Sequence, residues 1–220
     1  MPVKRVCDLG ISSLALLVLL PVMVALAVAI KLEDGGPVFY RGRRVGAGGV
    51  PFRIFKFRTM IVNADQLGGS STGDDDPRIT RIGKKLRKSK LDELPQLLNV
   101  LIGDMSLVGP RPEVEKYVRL FSEEERVILT VKPGITDWAT LENSDEGALL
   151  AGKADAERAY LEEIRPQKLR LQIAYVRQRS LWVDLTILFR TLAVIVTRAV
   201  DTSINGGVAI RQRGPSSRGH

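Results

Sequence analysis

The chain has 220 residues, and 33 lysines and arginines against 25 aspartates and glutamates give it a formal net charge of +8. It contains one cysteine, Cys7, and one histidine, His220, which excludes an internal disulfide and a zinc site built from cysteine and histidine. A Ser-His-Asp triad and a HExxH metalloprotease helix are excluded for the same reason. Catalysis by this chain must therefore use carboxylates, lysine and arginine, hydroxyl groups or an oxygen-bound metal ion. The positive charge allows three kinds of partner: nucleic acid, an anionic membrane surface or a phosphorylated substrate.

The first element in chain order is an apolar segment, residues 9–30, which contains no charged residue. About 20 apolar residues are enough for a helix to cross a membrane, so the length permits a transmembrane span. A cleaved signal peptide is a second interpretation, although its apolar region is normally shorter, about 7–15 residues. A third is a hairpin that enters and leaves the membrane on one face and bends at Pro21, where proline removes a helical hydrogen bond. Taken alone, the residues favour the span and leave the other two interpretations open.

The residues after this segment predict a small hairpin of strands followed by helices. Residues 37–41 and 52–58 have the composition of strands, and the glycine-rich residues 46–49 predict the turn between them. Local patterns then predict a mobile loop at 63–76, a turn at 133–134 and helices over 82–101, 113–121, 154–164 and 168–200. Pro166 is expected to end the third of these helices. The predicted fold class is α+β, mainly helical, with a small β-hairpin.

The end of the last predicted helix has two interpretations. Residues 187–200 are apolar except for two threonines and the arginines Arg190 and Arg198. A core helix is the preferred interpretation, and a helix in the membrane interface, with its arginines reaching the headgroups, is the alternative. Residues 201–220 predict a flexible tail.

Positive charge is concentrated just before a pair of carboxylates. Residues 76–90 contain seven lysines and arginines and one aspartate, so +6 of the net charge lies in this segment. Asp92 and Glu93 follow, and Pro95 predicts that a helix begins there, since proline is tolerated in a first helical turn. The helix end and the cations attract phosphate and are expected to keep both carboxylates ionised. An ionised aspartate in this place can attack phosphorus or bind Mg²⁺, whereas an Asp-Glu pair considered alone usually only complements the helix dipole.

Two further groups of cations strengthen the prediction of a phosphate site. Lys56 and Arg58 are separated by one residue on a predicted strand, so both side chains are expected on one face. Arg111 lies between Pro110 and Pro112, a rigid setting that suits a fixed phosphate contact. Together with the apolar segment, these residues predict a membrane-bound protein with a dense phosphate-binding surface and two carboxylates.

Four motifs resemble those of one known family: DPRIT at 76–80, LDELPQ at 91–96, NVLIGDMSLVGPRP at 99–112 and KPGIT at 132–136. Over about residues 4–200 the sequence resembles the bacterial sugar transferases of the monotopic phosphoglycosyl transferase superfamily. The resemblance implies transfer of a sugar-1-phosphate from a UDP-sugar to a polyprenyl phosphate, undecaprenyl phosphate in particular, with release of UMP. It also implies a re-entrant helix that breaks at a proline, matched by Pro21, and so favours the hairpin over the span.

The resemblance further implies roles for individual residues. Asp92 is expected to be the nucleophile that forms a covalent aspartyl-phosphosugar intermediate, and Glu93 is expected to activate the polyprenyl phosphate. Mg²⁺ bound at these two carboxylates is expected to offset the charge of the pyrophosphate. Contacts to phosphate or nucleotide are expected from four cations: Lys56, Arg58, Arg78 and Arg111.

The implied organisation is a re-entrant membrane hairpin at 1–35, a cytosolic catalytic domain with interfacial helices at 36–200 and the flexible tail. The protein is expected in the bacterial inner membrane, with its catalytic domain on the cytoplasmic face, in contact with anionic lipids and without nucleic acid. A homodimer is left open. The competing hypothesis is a non-enzymatic basic protein that binds nucleic acid or anionic lipid through residues 78–90. The long apolar segment does not suit a nucleic-acid-binding module.

Two places depart from the family pattern. Leu20 precedes Pro21 where relatives commonly carry serine, whose hydroxyl would help to sustain a bend. After the KPGIT motif, Asp137 and Thr140 stand where glycine and glutamine are common. No sugar specificity is therefore transferred to this chain.

Overall fold

The computed structural model describes residues 2–69, 71–142 and 145–211. Within these ranges the chain is mostly helical with small sheets, as predicted. The α-helices in chain order are α1 (Pro2–Asp34), α2 (Arg81–Ser89), α3 (Gln96–Ile102), α4 (Glu115–Val118), α5 (Trp138–Glu142), α6 (Glu146–Leu150), α7 (Ala156–Ala159), α8 (Arg165–Gln178) and α9 (Leu181–Arg211). The strands are β1 (Phe39–Tyr40), β2 (Arg43–Val45), β3 (Pro51–Arg53), β4 (Lys56–Phe57), β5 (Ser106–Val108) and β6 (Gly134–Thr136).

The first four strands form one hairpin, which confirms the prediction. β2 pairs with β3 and β1 with β4, both antiparallel and in a single register. Between the two ladders the Ile54 amide donates to the Gly42 carbonyl over 3.0 Å. The turn contains the short 3-10 segment Ala47–Gly49, in which Gly48 has a φ of 67°, a conformation that favours glycine. The far end of the hairpin carries Lys56 toward the carboxylate pair.

A second small sheet lies where the sequence predicted only a turn. β5 pairs with β6 in parallel, so two distant segments run side by side. A Cβ atom added at Gly134 would lie 2.0 Å from the Gly109 nitrogen, so this close approach requires glycine. The Gly134 amide donates to the Pro110 carbonyl over 3.0 Å. The sheet therefore fixes the backbone that carries Arg111.

The main core lies between the sheets and the longer helices. Its buried members are Ile54, Leu97, Val100, Met105, Leu107, Val108, Val131, Tyr175, Val176 and Ile187. α1 covers this core, because Leu16 and Leu19 pack against it and Met23 and Ile30 join a second cluster next to it. The opposite face of α1 is apolar and exposed, at Val6, Leu14, Leu17, Val18, Leu20, Val24 and Val28.

Polar contacts fasten both ends of α1 to the same domain. Near the first turn, Lys4 Nζ donates to Asp184 Oδ2 over 2.6 Å, and Asp8 accepts a hydrogen bond from Ser106 Oγ at 2.7 Å. The contacts at the other end are Glu33 with the Ile82 amide and Asp34 with Arg58. The helix therefore lies along the domain and is held at both of its ends.

Among the described residues, α1 is the one helix long and apolar enough to cross a membrane. Its most apolar 18 residues have a mean hydropathy of 2.8, and 11% of them are buried. The helix continues through Pro21 without interruption. The structure thus confirms a long apolar helix and does not confirm the break predicted at this proline.

Two of the predicted helices are each divided in the structure. The one over 82–101 consists of α2 and α3, separated by Lys90 in the left-handed conformation (φ 58°, ψ 13°) and by the 3-10 turn Leu91–Glu93. The one over 168–200 is divided because α8 ends at Gln178 and α9 begins at Leu181. The helix predicted over 113–121 is only the short α4.

The predicted helix end at Pro166 is wrong. α7, the π-helical segment Tyr160–Ile164 and α8 follow one another without a gap. Pro166 is the second residue of α8, and the backbone is helical on both sides of this proline. α9 continues past position 200 to Arg211, and the rest of the predicted tail, 212–220, lies outside the described residues.

The last helix has one buried and one exposed face. Ile187 is completely buried, whereas Trp182, Phe189 and Leu192 are 80%, 69% and 58% exposed. The core interpretation of this segment therefore holds for one face, and the other face presents large apolar side chains.

Candidate active site

The carboxylate pair lies in a polar cleft of about 230 Å³. The hairpin, the segment after β5, α6 and α8 surround it. Its charged lining residues are Arg44, Lys56, Asp74, Arg87, Lys90, Asp92, Glu93, Arg111, Glu113, Asp145, Glu146 and Lys168. The structure thus brings together four residues that the sequence predicted for the site: Asp92, Glu93, Lys56 and Arg111.

Local structure explains where the pair lies. α2 begins after Thr80, whose hydroxyl accepts the Gly83 amide, and it ends at Lys90, whose left-handed conformation turns the chain. Leu91–Glu93 then forms a single 3-10 turn, and Pro95 directly precedes α3. The pair therefore lies at the positive end of α3, as predicted.

Glu93 is held by two cations. Lys56 Nζ donates to its Oε1 over 2.7 Å, and both terminal nitrogens of Arg111 donate to its oxygens, Nη1 to Oε2 over 3.0 Å. Burial raises the pKa of Glu93, but Arg111 and Lys56 outweigh burial and hold this pKa well below its ordinary value. Burial in turn lowers the pKa of the Lys56 ammonium, whereas Glu93 raises the pKa of Arg111. The three side chains form one ionised unit of a carboxylate and two cations.

Asp92 has a different environment although it is the adjacent residue. It is 7% exposed, and its Oδ1 has no hydrogen-bond partner among the described residues. Burial raises the pKa of Asp92 above its ordinary value, and the opposing effect of Lys56 does not compensate. At Glu93 the pKa is shifted in the direction expected from the neighbouring cations, whereas at Asp92 burial shifts it in the opposite direction. Asp92 presents a more basic carboxylate that hydrogen bonds do not stabilise, which suits a nucleophile.

Arg111 is positioned by buried polar groups. Its backbone N–H donates to Asp137 Oδ2 over 3.1 Å, and the Gln172 amide donates to the same oxygen over 3.0 Å. Asp137 is completely buried, and its Oδ1 accepts the Thr140 amide at 2.6 Å. Asp137, one of the residues that depart from the family pattern, therefore supports the backbone that carries Arg111.

Two of the predicted site cations lie elsewhere. Arg58 binds Asp34 at the end of α1, and Arg78 binds Asp76, with its Nη2 2.7 Å from Oδ2. The prediction that Lys56 and Arg58 face one site is wrong, since the two side chains bind different carboxylates. Neither Arg58 nor Arg78 lines the cleft, and their contacts with phosphate stay predictions.

We expect Arg58→Gln and Asp34→Asn to destabilise the protein by similar amounts, because each leaves a charge unpaired where α1 meets the domain. Loss of a hydrogen bond to a charged group costs about 1–3 kcal/mol. Thermal unfolding of the two variants and of the double variant measures the effect, and the double variant should lose little more than either single one. A role of Arg58 in phosphate binding would instead raise the KM for the donor substrate in Arg58→Gln alone.

A second buried cluster in the cleft was not predicted from the sequence. Lys168, which is 4% exposed, lies 3.0 Å from Glu113 and 3.2 Å from Glu146, and Tyr160 donates to Glu113 over 2.6 Å. Burial lowers the pKa of Lys168, but the two carboxylates outweigh it and raise this pKa well above its ordinary value. Glu113 directly follows Pro112, the last residue of the motif that carries Arg111, so its place in the sequence could have indicated it as a site residue. Lys168 gave no such signal, because only the packing of α8 brings it to the cleft.

An apolar groove of about 460 Å³ adjoins the polar cleft. Its walls come mainly from α9 and α1, with apolar side chains that include Ile11, Ala15, Leu19, Leu97, Leu188, Phe189 and Leu192. Four residues line both the groove and the cleft: Lys90, Glu93, Arg111 and Glu146. The groove therefore ends at the carboxylate pair.

The protein alone does not provide a complete set of ligands for a magnesium ion. Among the described residues, no group of three or more histidine, cysteine, aspartate and glutamate side chains could hold a metal ion. Both oxygens of Glu93 are bound to Arg111, whereas Asp92 Oδ1 lacks a partner among the residues that the structure describes. Mg²⁺ commonly binds through one or two carboxylates together with substrate phosphates. Asp92 fits that kind of site, and Glu93 fits it only after releasing its cations.

Comparison with known proteins agrees with this geometry. The family described as bacterial sugar transferase matches residues 1–198 of the chain. A UDP-N-acetylgalactosamine-undecaprenyl-phosphate N-acetylgalactosaminephosphotransferase of Aeromonas hydrophila is 41% identical over 198 residues, 89% of this chain and 44% of the relative. A UDP-glucose:undecaprenyl-phosphate glucose-1-phosphate transferase of Caulobacter vibrioides is 39% identical over 199 residues, 88% of this chain and 70% of the relative. The exopolysaccharide production protein ExoY of Sinorhizobium fredii is 35% identical over 208 residues, 87% of this chain and 84% of the relative.

The chain belongs to the bacterial sugar transferase family. It covers 44% of the Aeromonas relative and 39% and 37% of two further curated relatives, whereas it covers 84% of the ExoY relative. The shared part therefore contains the polar cleft, the apolar groove and α1.

Proposed function

We propose that this chain transfers a sugar-1-phosphate from a UDP-sugar to undecaprenyl phosphate and releases UMP. The observation that carries the proposal is the buried carboxylate of Asp92, which has no hydrogen-bond partner in the described part of the chain, beside Glu93, which two cations hold. The relatives from Aeromonas and Caulobacter are named as transferases of this kind, which act on UDP-N-acetylgalactosamine and UDP-glucose respectively. The product would enter the synthesis of a polysaccharide or another glycoconjugate.

The reaction divides into two displacements at one phosphorus atom. A carboxylate oxygen of Asp92 attacks the phosphorus that bears the sugar, and the bond from this phosphorus to the oxygen of UMP breaks. A phosphate oxygen of undecaprenyl phosphate then attacks the same phosphorus, and the bond to Asp92 breaks. Two anionic substrates that repel each other can therefore bind one after the other.

The cations around Glu93 supply electrostatic stabilisation. Lys56 and Arg111 lie where charge develops on the transferring phosphoryl group, and their positions are fixed before substrate binds. With its lowered pKa, Glu93 is a weak base in the free protein. A donor phosphate that binds Arg111 and Lys56 would compete with Glu93 for them and raise its pKa. Glu93 could then accept a proton from the acceptor phosphate.

A magnesium ion is proposed at Asp92 together with the pyrophosphate of the donor. Bound there, Mg²⁺ would neutralise charge on the phosphates. The protein oxygen available for it is Oδ1 of Asp92, the buried atom without a partner among the described residues.

The apolar groove fits the isoprenoid chain of the acceptor. Its lining is largely aliphatic, and it opens on the carboxylates at Glu93 and Arg111. An amphiphile with its chain in the groove would present its phosphate to the phosphosugar on Asp92. The exposed apolar faces of α1 and α9 would contact the surrounding lipid.

Contacts along α1 support a monotopic placement, with both ends of the helix on one side of the membrane. A helix of 33 residues is about 50 Å long, more than the roughly 30 Å of hydrocarbon in a bilayer. Lys4 at one end and Asp34 at the other both form ion pairs with the catalytic domain. If α1 crossed the membrane, the domain would have to reach both sides. We place this domain on the cytoplasmic face of the inner membrane.

Cysteine labelling tests this placement. Single cysteines at positions 3 and 32, in a chain whose Cys7 is replaced by serine, should react with a membrane-impermeant maleimide from the same side of intact vesicles. Labelling from opposite sides would establish a span.

The activity is tested with the full chain purified in detergent or nanodiscs with Mg²⁺. A panel of UDP-sugars that includes UDP-glucose and UDP-N-acetylgalactosamine is offered together with undecaprenyl phosphate, and UMP is measured. We expect multiple turnovers with at least one donor, and none when undecaprenol replaces its phosphate. Absence of UMP with every donor would contradict the proposal.

A further inference from the structure

We infer that Lys90 binds the phosphate of the lipid acceptor. The inference rests on the proposed function and deepens it by naming the residue that distinguishes the acceptor from the donor. Lys90 lies two residues before Asp92 and lines both the polar cleft and the apolar groove.

The backbone of Lys90 is held in a conformation that lysine rarely adopts. Its φ of 58° lies in the left-handed region, and among the described residues only Asn63 shares this property outside glycine. The Lys90 amide donates to the Arg87 carbonyl over 3.2 Å, and its own carbonyl accepts the Glu93 amide at 3.2 Å. Glycine or asparagine would satisfy this turn with less strain, so the turn itself does not require a lysine.

The ammonium group of Lys90 lies at the junction of cleft and groove and has no ion-pair partner among the described residues, although it favours the ionised form of the nearby Asp92 carboxylate. The other charged residues that line both are paired, because Arg111 is bound to Glu93 and Glu146 is bound to Lys168. Lys56, in the cleft, is bound to the same carboxylate as Arg111.

The chemistry of this junction fits a lipid monophosphate. A chain in the apolar groove brings an anionic head to the boundary where Lys90 lies. A lysine ammonium is a compact charge with three donors and binds a phosphate without demanding one orientation. This suits an acceptor phosphate that must turn one of its oxygens toward the phosphorus on Asp92. The donor pyrophosphate, in contrast, has Lys56, which lines the cleft and not the groove, together with Arg111.

Kinetics of the full chain in nanodiscs test the inference. Lys90→Asn removes the charge and keeps a residue that tolerates the left-handed conformation. We expect the KM for undecaprenyl phosphate to rise about tenfold to a hundredfold, as loss of a charged hydrogen bond predicts. The KM for the UDP-sugar and the amplitude of the single burst of UMP released without acceptor should stay unchanged. Lys90→Arg should restore most of the acceptor affinity.

Two further variants keep the result unambiguous. Lys153→Asn removes an exposed lysine outside the cleft and should leave all constants unchanged. Lys90→Gly removes the side chain with a relaxed backbone and should reproduce Lys90→Asn. An unchanged acceptor KM, or a rise in the donor KM instead, would overturn the inference.

Failure of the proposed function would give a different pattern. In that case the wild-type chain would release no UMP with any donor. Equilibrium binding still tests Lys90, because wild type should prefer undecaprenyl phosphate to undecaprenol and Lys90→Asn should lose this preference. An equal preference in both proteins would overturn the inference whatever the reaction.

Discussion

Asp92→Asn is expected to lower UMP release at least about a thousandfold while leaving the protein as stable as the wild type or more so. The activity falls because an amide cannot attack phosphorus, and removal of a catalytic nucleophile typically has effects of this size or larger. The stability follows from the pKa of Asp92, which burial raises. An acid whose pKa is raised by folding stabilises the protein at low pH, and this contribution is lost as pH rises. At neutral pH the ionised Asp92 therefore destabilises the fold, and asparagine removes that cost.

Thermal unfolding at pH 7 and a UMP assay on the same preparation measure both effects. Asp65→Asn is the matched control, because Asp65 is exposed and does not line the cleft. It should keep full activity and an unchanged Tm. A large drop in Tm for Asp92→Asn would show that the side chain is structural, and retained turnover would remove it as the nucleophile.

Glu93→Gln is expected to lower both activity and stability, in contrast to the change at Asp92. Glutamine leaves Lys56 and Arg111 half-buried side by side without their carboxylate. Leaving a charged group without its hydrogen-bond partner costs about 1–3 kcal/mol. The pKa of Glu93 is held well below its ordinary value, so its stabilisation is present at neutral pH and is lost as pH falls through that lowered pKa.

Chemical denaturation at pH 7 and at a series of lower pH values down to about pH 3 measures this prediction. The difference in unfolding free energy between wild type and Glu93→Gln should be largest at pH 7 and smaller in acid. Glu123→Gln, which removes an almost fully exposed partner of a surface pair, should change stability by less than about 1 kcal/mol. If the Glu93→Gln protein were as stable as the wild type, the ion pairs of Glu93 with Lys56 and Arg111 would not contribute to the free energy of unfolding.

Patterns within short segments predicted much of the site correctly. The strand-like composition on both sides of a glycine-rich turn was enough to predict the hairpin that carries Lys56. Pro95 signalled the start of α3, and therefore the place of Asp92 and Glu93 at its positive end. Arg111 joined them through a motif whose rigidity comes from its two prolines. Each of these features is encoded within a few neighbouring residues.

Features that depend on distant contacts were not predictable in this way. Arg58 has the same spacing to Lys56 that a shared face requires, yet its partner is Asp34 on α1. Lys168 reaches the cleft only because a π-helical segment carries the chain through Pro166 into α8. Periodicity also missed the helix break at Lys90, since a left-handed lysine gives no signal in its residue type. In these cases tertiary packing decides between local alternatives of similar energy.

The central claim is that Asp92 carries the phosphosugar during turnover. The direct test is the intact mass of the full chain after incubation with a UDP-sugar that supports turnover and Mg²⁺, without acceptor, followed by acid quench and peptide mapping. We predict one added sugar-phosphate, located on Asp92, that disappears when undecaprenyl phosphate is added and is absent in Asp92→Asn. Rapid release of UMP in the presence of acceptor, with no adduct on Asp92 at any quench time, would contradict the two-step reaction.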